Sequence, residues 1–294
     1  MGKYSVSNYD DFAKAEVFDF SKQSSIGVGG IARMAFYPKD VQQIKELMHR
    51  LKSDGLKHIV LGNLTNVLPP DKQLEKVVIS TKKMVESRIG KQVYVSAGVM
   101  SGCFIKACRY AQKSGVEFLA GIPCTLGGAL YMNAGVNGKY IAELVENVLV
   151  YRDGEVVTLS QSECEYAYKK SVFMENDDII LGAKLRLTDS DEQTIRANEK
   201  SYLERRSHLP KGKSMGCVFK NPIHTRKSAG EWIENAGLKG VRFGGAYVAD
   251  EHANFIINDG TATAQEIRQL IEYIKERVKL QYGIELQEEI RYLA

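Results

Sequence analysis

Gly121-Ile122-Pro123-Cys124-Thr125-Leu126-Gly127-Gly128-Ala129-Leu130-Tyr131-Met132-Asn133-Ala134-Gly135 is the stretch on which the fold of this chain turns. Paired glycines beside a proline let main-chain N–H groups come close to an anion, because no Cβ stands in the way. If Leu126 to Met132 opens a helix, its N-terminal dipole favours a pyrophosphate. The same letters also suit a tight turn followed by a small-residue helix packed close on a sheet. Taken alone, the run supports both readings.

Farther along, Gly216-Cys217-Val218-Phe219-Lys220-Asn221-Pro222 packs a flexible residue, a potential proton donor, an amine and a turn-forming Asn-Pro into seven positions. A strand needed only for a core has no use for that mixture. Near the start, Gly27-Val28-Gly29-Gly30-Ile31-Ala32 has the letters of a dinucleotide fingerprint but not its context. A polar Ser-Lys-Gln-Ser-Ser precedes it and a strand follows, whereas the fingerprint needs strand, turn and helix in that order. It reads as a turn, or as a loop whose backbone approaches a ligand.

Between these stretches, short strands alternate with helices. Residues 33–37 read as a strand closed by Pro38, and Val41, Ile44, Leu47, Met48 and Leu51 recur at helical spacing before Gly55. Strands are expected at 58–61, 77–79, 93–96 and 178–187, with helices at 101–114 and, polar, at 191–207. Asp153-Gly154 between two apolar runs is a hairpin signal. Ser228-Ala229-Gly230-Glu231 and Thr263-Ala264-Gln265-Glu266 are capping boxes that open two more helices, with a strand over 253–258 between them. Trp232, Ile233, Ile267, Leu270 and Ile274 read as core; Tyr131 reads as core or as a wall of a ligand pocket. The pattern is α+β in three pieces: 1–82, 83–190 and 191–294.

Composition narrows the function. The chain has 294 residues, 44% hydrophobic and 26% charged, which is the make-up of an ordinary globular protein. A net charge of +4, with its cations dispersed along the chain, argues against a nucleic-acid binder while leaving room for a small anionic substrate. No apolar run approaches the roughly 18 residues that span a bilayer, and residues 1–10 hold no apolar signal region. A cytoplasmic protein with no membrane partner is the expectation. Five cysteines without C-x-x-C spacing read as free thiols, and Asp250-Glu251-His252 is not a convincing metal set.

The order and spacing of G-I-P-x-T-L-G-G-A-x-x-M-N-A-G, of G-C-V-F-K-N-P and of A-G-L-K-G-x-x-x-G-G-A-x-V-x-x-x-H-A-N-F-I-I-N (236–258) resemble the UDP-N-acetylenolpyruvoylglucosamine reductases, the MurB family, in its compact type. The resemblance runs from Ser24 to Glu289. It implies a two-subdomain FAD-binding module of the vanillyl-alcohol-oxidase/PCMH type, in 1–82 and 83–190, and a C-terminal α+β substrate domain in 191–294. It further implies FAD as cofactor, NADPH as hydride donor, a nucleotide-sugar substrate in peptidoglycan synthesis, and a monomer or weak dimer. The flavin loops would comprise Ser25, Gly27, Gly29 and Gly30; Gly62, Asn63, Thr65 and Asn66; and Gly121, Ile122, Pro123, Thr125, Gly127, Gly128, Asn133 and Gly135. Tyr168, Lys220 and Asn221 fall on substrate-binding positions.

The family's chemistry explains its residue types. Hydride delivered to an enolpyruvyl double bond leaves negative charge that needs a cation or acid, and the neighbouring carbon needs a proton. The resemblance puts the proton donor at Cys217, where the family has serine. It puts the family arginine at Lys169, with Lys170 beside it as an alternative, and the C-terminal glutamate at Glu289. Read without the family, Cys217 is a small buried hydrophobe and Glu289 a solvated charge at a strand end. A thiol with pKa about 8.5 is protonated at neutral pH and is a stronger acid than an alcohol. Lys169 keeps the charge but loses the planar two-point grip on a carboxylate. Leu64 and Cys124 each stand where the family commonly has glycine. Two competing readings are a flavin oxidase on the same scaffold, disfavoured because no histidine follows Gly29-Gly30, and a nucleotide-sugar-binding paralogue with weakened catalysis.

Overall fold

The computed structural model describes residues 9–15 and 17–293, so the N-terminal stretch read above lies outside it as far as residue 8. The chain divides into two compact units. One takes the N-terminal residues with Met34–Asn63 and Lys76–Arg206; the other takes Val17–Arg33, Leu64–Glu75 and Ser207–Ala294.

In the first unit, β1 (Ala35–Phe36), β2 (His58–Leu61) and β3 (Val77–Ser80) are parallel in the order β1-β3-β2, with Lys14–Ala15 antiparallel at the edge. Parallel strands need a crossover, and α1 (Val41–Ser53) supplies one between β1 and β2, which lie on either side of β3. The Asp40 carboxylate accepts from Gln43 N at 2.8 Å to start the helix, and Gly55 at φ +64° follows its end. Ile44, Leu47 and Leu51 pack with Phe36 and Ile79 in one cluster. β4 (Ser87–Ile89), β5 (Val93–Ser96), β6 (Val145–Arg152), β7 (Glu155–Ser160) and β8 (Ile179–Leu185) form a second, antiparallel sheet in the order β7-β6-β8-β5-β4. The turn between β6 and β7 has positive φ at both Asp153 (51°) and Gly154 (98°), as a type I′ hairpin demands.

Two further helices, α2 (Ser101–Tyr110) and α3 (Leu126–Tyr131), belong to this unit. Phe104 of α2 and Leu130 of α3 share a core with Val95, Val148 and Val150, and half-buried Tyr131 packs against it. The helix expected over 101–114 stops at Tyr110 because Gln112 turns left-handed, φ 54°. Lys113–Ser114 then pairs with Thr188–Asp189. The polar helix is α4 (Glu192–Arg205), capped by Asp191, whose carboxylate accepts from Thr194 N at 2.8 Å.

The second unit is built on a four-stranded antiparallel sheet of β9 (Lys213–Cys217), β10 (Arg242–Phe243), β11 (Ala246–Val248) and β12 (Phe255–Asn258), ordered β9-β12-β11-β10. Helices α5 (Ala229–Asn235) and α6 (Ala264–Tyr282) pack on it through Ile233, Ile267, Leu270 and Ile274, each fully buried. Trp232 is an exception to the expected core: it is half-buried, its indole N–H reaches Thr225 Oγ1 at 3.2 Å, and Lys227 lies over its ring. Both capping boxes form. Ser228 Oγ accepts from Glu231 N at 3.2 Å and Glu231 Oε2 from Ser228 N at 2.7 Å; the Thr263–Glu266 pair does the same at 3.1 and 2.9 Å.

Ile26 and Val28 from the early segment lie in this same core, and β13 (Arg291–Tyr292) runs parallel to Val67–Leu68. Asp71 accepts from Ala264 N at 2.8 Å and Gln265 N at 3.0 Å, so a carboxylate from the 64–75 segment meets the positive end of the α6 dipole. No helix among the described residues is long and apolar enough to cross a membrane.

Two predictions concern stability. Leu64 has φ 52° yet is only 4% exposed. Replacing it by glycine would return about 1–2 kcal/mol of left-handed strain but forfeit a buried side chain worth about 2–5 kcal/mol. Leu64→Gly should therefore lower the denaturant midpoint. The second concerns His252, whose Nδ1 accepts from Asn254 N at 3.2 Å and whose imidazole burial holds below its usual pKa of 6.5. Because the folded value lies below the unfolded one, its contribution to stability is full above pH 6.5 and drains away as pH falls through the folded value. Urea unfolding followed from about pH 7.5 to 5 should show this acid-side loss, and His252→Gln should flatten it; His58, also lowered by burial, leaves a residual slope.

Candidate active site

In the first unit the glycine-rich run is fastened at every turn. Asn63 Nδ2 donates to Pro123 O at 2.8 Å, and a Cβ on Gly62 would stand 2.4 Å from Thr125 Oγ1. Thr125 caps α3, its hydroxyl accepting from Gly128 N at 3.3 Å. Leu126 N and Gly127 N donate to Val99 O and Ala97 O, each at 2.8 Å, and a Cβ on Gly127 would lie 3.0 Å from that of Ala97. At Gly62 and Gly127 the missing side chain thus serves close packing. Gly128 differs, because a Cβ there would meet only the Thr125 hydroxyl, at 3.4 Å. Gly121 takes φ +75°, with Arg206 against it donating from Nε to Gly121 O at 3.3 Å. Ile122 packs on the core and accepts from Ser101 Oγ through its carbonyl. Burial pushes the neighbouring Cys124 thiol up to about 11, which makes it a poor nucleophile.

Asn133 (φ 44°) ties the run to a second loop: Nδ2 donates to Ala167 O at 2.8 Å and Oδ1 accepts from Ala142 N at 3.2 Å. Gly135 is required by Tyr140, whose ring carbon would be 2.3 Å from an added Cβ. Ala167 and Lys170 exchange two main-chain hydrogen bonds at 3.1 Å, which leaves Tyr168 and Lys169 at the tip of a tight turn, Lys169 with φ 53°. Tyr168 meets Tyr140 edge-on, centroids 6.4 Å apart. Ser171, buried, donates to Tyr131 O at 2.6 Å and anchors the turn to α3. Lys170 pairs with Glu175 at 2.7 Å.

In the second unit, Ser25 uses its hydroxyl internally, on Ser214 O at 2.6 Å. Gly27 (φ +69°) lies under the Lys213 side chain. A Cβ on Gly29 (φ +111°) would strike Pro69 at 2.7 Å, and one on Gly30 would strike Asp71 O at 2.5 Å. Thr65 and Asn66 are half-buried; Asn66 Nδ2 donates to Glu289 O at 3.2 Å and Asn66 O accepts from Arg291 N at 3.0 Å.

A bulge in β9 between Ser214 and Cys217, with Gly216 at φ +75°, re-aims the chain just ahead of half-buried Cys217. A Cβ on Gly216 would meet nothing within 4 Å. Residues 218–220 then run beside 287–290: Lys220 N donates to Gln287 O at 2.8 Å, and Glu289 N to Val218 O at 2.7 Å. Cys217 and Glu289, 72 positions apart in the chain (289 − 217), therefore flank one main-chain hydrogen bond. Asn221 Oδ1 accepts from Ala229 N at 3.0 Å, at the start of α5. The second unit brings Cys217, Lys220, Asn221, Glu289 and Asn66 together, while Tyr168 and Lys169 belong to the first.

Two asparagines, seen earlier only as letters of H-A-N-F-I-I-N, are central. Asn254 Oδ1 accepts from Phe219 N at 2.9 Å, its Nδ2 donates to Phe219 O at 2.8 Å and its carbonyl accepts from Val218 N at 2.9 Å. Asn258 Nδ2 donates to Ile26 O at 2.9 Å and Gly27 O at 3.4 Å. Their signal was a strongly polar amide in an otherwise apolar strand, and it carried no hint of its partner. Among the described residues no group of three or more His, Cys, Asp or Glu could hold a metal ion. In the first unit, the open face of Gly128 fits an anionic cofactor, since main chain can approach it there without a side chain intervening.

Known proteins match this arrangement. A model for an FAD binding domain matches residues 32–160, and one for the UDP-N-acetylenolpyruvoylglucosamine reductase C-terminal domain matches 207–293. The reductase of Geobacter metallireducens is 38% identical over 275 residues, covering 92% of this chain and 91% of the relative. That of Thermotoga sp. is 35% identical, covering 99% and 97%. The crystal structure of the Thermus caldophilus enzyme superposes with a TM-score of 0.81 at 29% identity, covering 96% of this chain and all of that one. The fold is thus the expected FAD-binding module with its C-terminal α+β domain. With identity of this level spread over nearly the whole length, and both family models in their proper order, the chain belongs to the UDP-N-acetylenolpyruvoylglucosamine reductase family.

Proposed function

We propose that this chain carries out the reaction its family is named for, reducing the enolpyruvyl group of UDP-N-acetylglucosamine-enolpyruvate to give UDP-N-acetylmuramate at the expense of NADPH. The observation that carries the residue assignment is the Glu289 N–H bond to Val218 O at 2.7 Å, which holds the C-terminal glutamate beside the Cys217 segment. Bound FAD supplies the passage of hydride from NADPH to the double bond. The residues of Ser25–Gly30, Gly62–Asn66 and Gly121–Gly135 would hold it.

Cys217 gives its thiol proton to the carbon next to the one that receives hydride, so hydride and proton together saturate the double bond. Glu289 assists at that centre. Lys169 offsets the negative charge that develops beside the carboxylate, a role suited to a positioned cation. Tyr168, Lys220 and Asn221 bind the nucleotide sugar. Lysine in place of arginine keeps the charge at this position but gives up two-point contact, which weakens positioning more than attraction. The division of labour proposed is 1–82 and 83–190 for the cofactor and 191–294 for substrate, in a cytoplasmic enzyme acting as a monomer or weak dimer.

Cys217→Ala should leave flavin reduction by NADPH intact in stopped-flow absorbance yet slow turnover about 10²–10⁴-fold, the usual worth of a positioned proton donor. Cys217→Ser should retain substantial turnover. Near-normal product formation by Cys217→Ala would remove the thiol from the mechanism. Lys169→Ala should cost about 10²–10³ in kcat, whereas Lys170→Ala, which loses only its pairing with Glu175, should stay within a few-fold of the parent.

A further inference from the structure

One strand in the second unit serves both ligand-facing segments of that unit. Asn254, immediately before β12, and Asn258, at its end, are each 3% exposed, and both spend their amides on main chain outside β12. Asn254 grips Phe219 from both sides, through Oδ1 to its N–H at 2.9 Å and through Nδ2 to its carbonyl at 2.8 Å. Its own carbonyl takes the Val218 N–H at 2.9 Å. Those three bonds extend the β9–β12 pairing past its last register pair, Cys217 with Phe255, and they fix the chain directly after Cys217. Asn258 Nδ2 holds Ile26 O and Gly27 O of the first glycine loop, while Oδ1 accepts from Gly260 N at 2.7 Å and Ala262 N at 3.0 Å.

We infer that Asn254 and Asn258 are a pair of positioning residues with separable duties: Asn254 sets where the Cys217 thiol delivers its proton, and Asn258 sets the shape of the 24–30 loop that takes up the flavin. The physical reason is that a buried amide offers two donors and an acceptor in one rigid plane. A segment held by both edges of that plane cannot slide or rotate without leaving a buried group unpaired. Placement at this level matters to chemistry, since about 1 Å of misplacement can cost 10²-fold in rate. The inference for Asn254 rests on the proposed role of Cys217; that for Asn258 does not.

The test uses the FAD-loaded full chain and the variants Asn254→Asp and Asn258→Asp, which keep an acceptor oxygen but lose the amide donor. Three quantities are read: FAD dissociation constant by fluorescence, rate of flavin reduction by NADPH, and rate of reoxidation of reduced flavin by the enolpyruvyl substrate in H2O and D2O. Asn254→Asp should leave FAD affinity and flavin reduction within about twofold, slow reoxidation about tenfold or more, and raise its solvent isotope effect. That defect should shrink as pH falls, because a protonated carboxyl regains a donor for Phe219 O. Asn258→Asp should instead raise the FAD dissociation constant about tenfold, with reoxidation of the fully loaded enzyme near the parent rate.

Equal losses in all three quantities for both variants would overturn the separation of duties, as would parental reoxidation in Asn254→Asp. Thermal melting guards against simple unfolding, and Asn254→Ser and Asn258→Ser provide a second, uncharged pair for the same comparison. Cys217→Ala run alongside separates the two ideas. Normal reoxidation in Cys217→Ala with a defect in Asn254→Asp overturns the thiol's role, and the reverse overturns the positioning role of Asn254.

Discussion

The Asn258 amide joins parts of the chain that would otherwise have no reason to meet. Its Nδ2 bonds Ile26 O, 232 positions away, while Oδ1 closes the turn through Gly260 and Ala262 that leads into α6. Four main-chain groups converge on one side chain; the bond to Ile26 O is buried, and that carbonyl would cost about 1–3 kcal/mol if left unpaired, while the other three bonds are partly buried. Ile26 and Val28 can enter the same core as Ile256 and Ile267 because their backbone groups are satisfied on the way in. Asp71 at the head of α6 makes the equivalent contribution for the 64–75 segment. The second unit is therefore assembled from three stretches held by polar contacts between them, and not by apolar burial alone.

Against that frame of bonds, the glycines divide into two physical kinds. Gly29, Gly30, Gly62, Gly127 and Gly135 stand where an added Cβ would strike protein at 3.0 Å or less. Their smallness lets loops interlock. Gly128 and Gly216 have room on the side where a Cβ would project. Both kinds are written with the same letter: some hold the backbone in place, others bare it.

Cys217 and Leu64 show how departures from a family pattern are absorbed. A thiol can donate a proton as a hydroxyl does, at lower energetic cost per transfer near neutral pH, so the proposed role of Cys217 is compatible with the replacement. Leu64 keeps the left-handed backbone its loop requires and compensates by burying its side chain. In the first the chemistry of the group is what survives substitution; in the second it is the packing.

The sequence by itself determined those elements whose partners lie within about four residues. The Ser228 and Thr263 capping boxes, the Asp153-Gly154 hairpin and the apolar spacing of α1 were all legible, because the atoms that satisfy them are neighbours along the chain. The motifs that single out Cys217, Lys169 and Glu289 as candidates were legible too, because they are written in order along the chain. Where α2 ends was not, since Gln112 turns left-handed to let Lys113–Ser114 pair with Thr188–Asp189. Nor was the work of Asn254, Asn258 and Asp71, whose partners lie 35, 232 and 193 positions away. A buried amide or carboxylate announces a need for hydrogen bonds but not the place they will be found. That choice belongs to the tertiary structure, because only the folded chain decides which main-chain groups lose water together and must satisfy one another.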